Sequence, residues 1–168
     1  MRIFLIGFMG CGKTTLGKKL AQKMDYSFTD LDHELEKKAG MSVSDYFSAK
    51  GEEAFRLLEK ETLNNFDYPT NCVISTGGGT PCFFDNMEFM NRNGITIYLE
   101  MPPVALAKRL EYSKHKRPLI ANKDEKEMVA FIKEKLEERN PFYKRSFLTV
   151  NGINITPEQV KNELFQLF

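Results

Sequence analysis

The sequence predicts an α/β fold: a doubly wound parallel sheet flanked by helices. Three observations carry this. Short apolar strands alternate with helical patterns, as in sheets whose parallel strands are joined by crossover helices. The first strand runs into a glycine-rich loop that opens directly onto an amphipathic helix. A second run of glycines follows a later strand of the same sheet.

Taken in order, residues 3–6 are continuously apolar and read as a buried first strand. Residues 13–24 form a helix, with Leu16, Leu20 and Met24 aligned on one face. A short strand at 27–29 ends at Asp30-Leu31-Asp32, and helical patterns fill 34–38 and 43–66, broken at Gly40 and Gly51. Residues 72–76 are a strand leading into Gly77-Gly78-Gly79, and 84–93 are helical up to Gly94. Residues 95–99 give another apolar strand. Pro102-Pro103 starts a helix that reaches about Leu110. A polar stretch precedes a helix over 125–139, which ends just before Asn140-Pro141. The stretch around 149–153 reads as a loop and carries no sharp motif. Thr156-Pro157-Glu158-Gln159 opens the last helix with an N-cap, a proline at the first position and a capping box.

The chain has 168 residues, enough for one substantial core, and no linker divides it, so residues 1–168 are expected to form a single domain. Hydrophobic residues make up 42% and the formal net charge is +1. That balance favours neither nucleic-acid nor membrane partners, and positive charge at a site must be local. No apolar run approaches the roughly 20 residues that span a bilayer. The amino terminus reads as a strand rather than a signal peptide. Cys11, Cys72 and Cys82 make neither a disulfide framework nor a zinc pattern and are expected as free thiols in a reducing cytoplasm.

Gly7-Phe8-Met9-Gly10-Cys11-Gly12-Lys13-Thr14 fits the phosphate-loop pattern G-x-x-x-x-G-K-[ST] in full. Glycines let the backbone curl so that the N–H groups of Gly10, Cys11 and Gly12 point at phosphate oxygens, and the helix adds its positive end. Lys13 reaches the β- and γ-phosphates, and the Thr14 hydroxyl is placed to ligate Mg²⁺. Thr15 contacts the α-phosphate or is a helix residue with no role. The guanine-reading motif N-K-x-D is absent. The loop alone gives nucleotide binding and leaves the acceptor open.

Asp30 and Asp32, at positions i and i+2 of a strand end, would face the same side of the cleft. One would hold Mg²⁺ through water and the other would accept a proton from an attacking hydroxyl; the competing reading is a pair that caps the next helix. Gly77-Gly78-Gly79 forfeits backbone entropy, which fits a close backbone approach to a ligand or a tight turn. Arg56, Arg117 and Arg139, taken singly, read as surface residues. Glu59, three residues after Arg56, is placed to orient its guanidinium.

Together these residues resemble the shikimate kinases. The likeness spans Ile3 to about Gly152 and rests on an ordered set: the phosphate loop, Asp30-x-Asp32, Gly51 with Phe55-Arg56-x-x-Glu59, Gly77-Gly78-Gly79, Arg117-Pro118-Leu119, and Arg139 with Tyr143. The resemblance implies a nucleoside-monophosphate-kinase-like fold, with a substrate-binding segment near 32–60 and a lid near 111–124. It implies phosphorylation of the 3-hydroxyl of shikimate by ATP, with Mg²⁺, in aromatic amino-acid biosynthesis. Lys13 and Thr14 would serve ATP and Mg²⁺. Asp30 would support the metal through water, and Asp32 would bind and activate the acceptor hydroxyl. Arg56 and Arg139 would clamp the carboxylate, with Gly78 and Gly79 letting backbone N–H groups reach substrate. Arg117 would come from the lid to neutralise the transferring phosphoryl group, and Arg109 resembles the family's adenine-stacking arginine. Cys11 replaces the Ser or Ala often found in the loop and would bring a thiol near ATP. The expected partners are ATP and shikimate, and the expected state is a monomer. A gluconate kinase would share the loop without needing Phe55-Arg56, the triple glycine and Arg139 together. A non-catalytic nucleotide switch would not need both Asp30 and Asp32.

Overall fold

A computed structural model describes residues 1–112 and 120–168. Its elements are β1 (Arg2–Ile6), α1 (Lys13–Met24), β2 (Ser27–Asp30), α2 (Leu31–Ala39), α3 (Val43–Asn65), β3 (Cys72–Ser75), a 3₁₀ turn (Thr80–Cys82), α4 (Asn86–Asn93), β4 (Ile95–Glu100), α5 (Pro103–Glu111), α6 (Glu125–Tyr143), β5 (Leu148–Asn151) and α7 (Pro157–Phe165). No helix among the described residues is long and apolar enough to cross a membrane.

Among the described residues the strands form one sheet in the order β2-β3-β1-β4-β5, and every pair is parallel. Ile3, Phe4, Leu5 and Ile6 are fully buried, as expected of a central strand covered on both faces. The chain leaves β1 toward the β2 edge, returns to β3 and then crosses to β4 on the far side. Connections therefore diverge at the carboxyl ends of β1 and β3, where a doubly wound sheet opens a crevice. The phosphate loop follows β1 and the triple glycine follows β3, so both turns border that crevice.

Local signals account for most element ends. Gly40 ends α2 in the left-handed conformation, and Gly51 interrupts α3 at φ 83°. Thr156 and Gln159 form the capping box of α7 behind Pro157.

Four expectations need correction. The second strand stops at Asp30 and α2 begins at Leu31, so Asp32 lies in the first turn of a helix rather than on a strand. Asp30 is the N-cap: its carboxylate accepts from the backbone N–H groups of Asp32 at 3.1 Å and His33 at 3.4 Å. Capping thus ends the strand before an i, i+2 pair can form on it. Helix α6 continues through Pro141 to Tyr143, losing one backbone hydrogen bond because the buried Tyr143 anchors its last turn. Helix α4 starts at Asn86, because residues 80–82 form a 3₁₀ turn and Phe84 adopts a left-handed φ of 51°. The motif-poor stretch after α6 contains an edge strand, β5, paired to β4 with Leu99 opposite Val150.

Candidate active site

Gly12 sits at φ 98°, a left-handed conformation strained for any side chain, and turns the loop into α1. The Lys13 side chain, 8% exposed, crosses back over the loop. Its ammonium donates to the carbonyls of Gly7 at 2.8 Å and Phe8 at 3.0 Å. Lys13 and Thr14 line a cavity of about 410 Å³ that Asp30, Asp32, Gly78 and Arg109 also border. The Cys11 thiol is enclosed. It is 2% exposed and lies under the loop, 3.7 Å from the Lys13 Nζ. The Cys11 carbonyl accepts from Arg109 Nη1 at 3.1 Å. Arg109, in the last turn of α5, also borders a second cavity of about 290 Å³, lined by Thr15, Asn154 and Pro157 at the start of α7.

The Thr14 hydroxyl donates to Asp30 Oδ2 at 2.8 Å and lies 3.3 Å from the Ser75 hydroxyl. Asp30 does two jobs with its two oxygens: Oδ1 caps α2 and Oδ2 holds Thr14. Ser75 was not singled out in the sequence. Its place depends on register, because it pairs opposite Asp30 on one side and Leu5 on the other. Only the strand order reveals that neighbourhood. One carboxylate and two hydroxyls are hard oxygen donors, and this small set fits Mg²⁺ completed by phosphate and water.

A second group of side chains converges on the triple glycine. A β-carbon at Gly77 would lie 3.1 Å from Asp32 Oδ1 and 2.9 Å from Glu59 Oε2. One at Gly78 would lie 3.4 Å from Arg139 Nη1, and one at Gly79 only 2.6 Å from the Arg56 guanidinium nitrogens. A side chain at Gly77 or Gly79 would displace the groups that converge there, and one at Gly78 would press on the Met9 backbone nitrogen at 3.2 Å, which accounts for the glycines by close approach.

Arg56 is 9% exposed and pairs with Glu59, 1% exposed, at 2.9 Å. The other Glu59 oxygen accepts from the Thr80 hydroxyl at 2.7 Å, and the Thr80 carbonyl accepts from Asn86 Nδ2 at 2.9 Å. Thr80 and Asn86 escaped sequence reading because nothing local signals that Thr80 bonds Glu59 on α3 or that Asn86 holds Thr80 in place. Arg139, on α6, stacks 5.3 Å from the Phe8 ring centroid. Its Nη1 is buried with no hydrogen-bond partner among the described residues. Tyr143, one turn further on, donates its hydroxyl to the Gly78 carbonyl at 2.5 Å. Burial pushes the Tyr143 phenol far above its ordinary pKa, so it remains a donor.

The structure therefore gathers Lys13, Thr14, Asp30, Asp32, Gly78 and Arg109 around one cavity, with Arg56, Gly79 and Arg139 against its glycine wall. Arg117 lies outside the described residues, as does the middle of the expected lid.

A parallel sheet of this order, with a phosphate loop on its central strand, defines a phosphotransferase of the nucleoside-monophosphate-kinase-like class. The family model for shikimate kinase matches residues 9–168, and the chain belongs to the shikimate kinase family. A shikimate kinase from Parabacteroides distasonis is 48% identical over 157 residues, covering 94% of this chain and 91% of that protein. A crystal structure of shikimate kinase from Bacteroides thetaiotaomicron superposes with a TM-score of 0.90 at 43% identity, covering 99% of this chain and 96% of that one. A shikimate kinase from Acinetobacter baumannii in complex with shikimate gives a TM-score of 0.85 at 32% identity, with 99% and 91% covered.

Proposed function

We propose that this chain transfers the γ-phosphoryl group of ATP to the 3-hydroxyl of shikimate, giving shikimate 3-phosphate and ADP in the cytoplasmic route to aromatic amino acids. The observation that carries this reading is the convergence of Arg56 and Arg139 on the glycine turn beside Asp32, with Arg139 Nη1 buried and without a hydrogen-bond partner among the described residues. A buried guanidinium nitrogen without an acceptor is costly, and an acid substrate supplies one.

Each residue then has a task. Backbone N–H groups of Gly10, Cys11 and Gly12, with Lys13 and the amino end of α1, hold the phosphates. Thr15 and Arg109 border the nucleotide side, where Arg109 covers the base. Arg56 and Arg139 take the acceptor carboxylate, and Gly78 and Gly79 offer backbone N–H groups at close range. Fixing the acid at one end aims the hydroxyl at the γ-phosphorus. Asp32 orients that hydroxyl and accepts its proton as the new P–O bond forms and the bond to the ADP oxygen breaks. Thr14, with Asp30 through water, fits Mg²⁺, which when bound neutralises charge on the β- and γ-phosphates. Arg117 adds positive charge from the lid near 111–124, and residues 32–60 form the acceptor-binding segment of a single-domain, monomeric enzyme.

A coupled assay of ADP release with shikimate, with gluconate and with no acceptor tests the reading. Release is expected with shikimate alone. Equal release with gluconate, or release without an acceptor, would overturn it.

A further inference from the structure

Arg56 is gripped by aromatic rings as well as by Glu59. The Phe83 ring centroid lies 4.1 Å from Arg56 Cζ, closer than the Phe55 ring at 5.1 Å. Phe83 directly follows the 3₁₀ turn and precedes Phe84, whose φ of 51° is strained for a bulky residue. Strain of that kind persists only where surrounding contacts enforce it. Around it, Asn86 donates to the carbonyls of Phe83 and Thr80, and Lys60 pairs with Asp85 at 3.0 Å and lies 5.0 Å from the Phe84 ring centroid. Lys60 stands one helical turn beyond Arg56 on α3. The helix that presents Arg56 therefore also clasps the turn that lays Phe83 on it.

We infer that Phe83 is a positioning residue for recognition of the acceptor carboxylate, acting through Arg56; this rests on the shikimate-phosphorylating function proposed above. A carboxylate takes two parallel N–H···O bonds from a guanidinium only when the two groups are nearly coplanar. Glu59 anchors Nη1 in the guanidinium plane. The Nε atom has no hydrogen bond among the described residues; Glu52 forms only a longer ion pair with it, at 3.6 Å. In-plane anchoring at one nitrogen leaves rotation out of the plane unopposed. A ring on the guanidinium face opposes that rotation while leaving the donor edge open. Aromatic rings also attract the cation electrostatically, which an aliphatic side chain of similar bulk does not.

The test compares Phe83→Leu and Phe83→Tyr with the unaltered chain, using shikimate and its methyl ester as acceptors. Phe83→Leu should raise the shikimate KM about 5-fold, in line with loss of a partly desolvated cation–π contact. Its ATP KM should stay within about 2-fold, and Phe83→Tyr should restore the shikimate KM, because the ring is what matters. The ester, lacking the charged carboxylate, should show no comparable penalty. An unchanged shikimate KM in Phe83→Leu, an equal penalty on acid and ester, or failure of Phe83→Tyr to rescue would overturn the inference while leaving the function intact. Absence of shikimate turnover by the unaltered chain would overturn both.

Discussion

Tyr143 is tied to Gly78: its hydroxyl donates to the Gly78 carbonyl at 2.5 Å, and its ring lies 4.9 Å from that of Tyr98. The bond joins the helix that carries Arg139 to the glycine turn that Arg139 abuts. Tyr143→Phe keeps the ring packing and strands the carbonyl. The expected loss is about 1–3 kcal/mol, read as a Tm lowered by about 2–12 °C. Shikimate KM should rise with it while ATP KM holds. A thermal melt alongside steady-state kinetics checks both.

Arg56 and Arg139 should part company in stability although both should matter for the acid. Arg56→Ala leaves the buried Glu59 without its cation. Breaking a buried pair costs about 3–5 kcal/mol, so its Tm should fall by about 6–20 °C. Arg139→Ala gives up the contacts with Phe8 and Tyr143 but strands no buried carboxylate among the described residues, so its Tm should fall less than that of Arg56→Ala. Each change should raise shikimate KM about 10- to 150-fold. A Tm loss of the same size in both variants would contradict the contrast between Arg56, which neutralises a buried carboxylate, and Arg139, which neutralises none among the described residues.

Asp30 and Asp32 should separate in a Mg²⁺ titration at saturating ATP. Asp30→Asn keeps a competent helix cap but weakens the carboxylate beside Thr14, so more Mg²⁺ should be needed for half-maximal rate. Asp32→Asn should lower kcat by about 10²–10⁴-fold without shifting the Mg²⁺ requirement. The reverse pattern would exchange the two roles.

Alkaline stability should carry a signature of Cys82. Burial pushes its thiol from 9.0 up to about 11, although Arg139 and Arg56 pull the other way. The folded state holds the proton more tightly than the unfolded chain. The stabilisation is therefore complete below pH 9 and is lost as pH rises from 9 through about 11. Urea midpoints at pH 8, 9.5 and 11 should fall along this series. In Cys82→Ala the fall between pH 9 and 11 should be shallower.

The sheet, its crossover helices and the phosphate loop were legible because each is written locally, in a continuous apolar run, a 3.6-residue period or a glycine spacing. Edge strand β5 was not: it is short and buries only Val150 well, so its four residues give no periodicity to read. Asp32 was placed on the wrong element for a related reason. Asp30 can end a strand or cap a helix, and only the two backbone N–H groups that bond to it decide between them. The spacing of Arg56 and Glu59 announces their pairing, but the approach of Arg56 to Phe83 and Gly79 is not legible, since both lie a long way along the chain. Ser75 was hidden by register, which a sequence states only after the strand order is known.

That register has a kinetic consequence. Thr14, Asp30 and Ser75 meet only when β1, β2 and β3 have paired with Leu5 and Asp30 both opposite Ser75. A strand slipped by one residue would turn every side chain to its opposite face and scatter the three oxygens. Pairing of this kind joins distant stretches of chain and forms slowly, whereas helices form early. During recovery from denaturant, far-ultraviolet ellipticity should therefore return ahead of phosphoryl transfer, and catalysis should be the last property the chain regains.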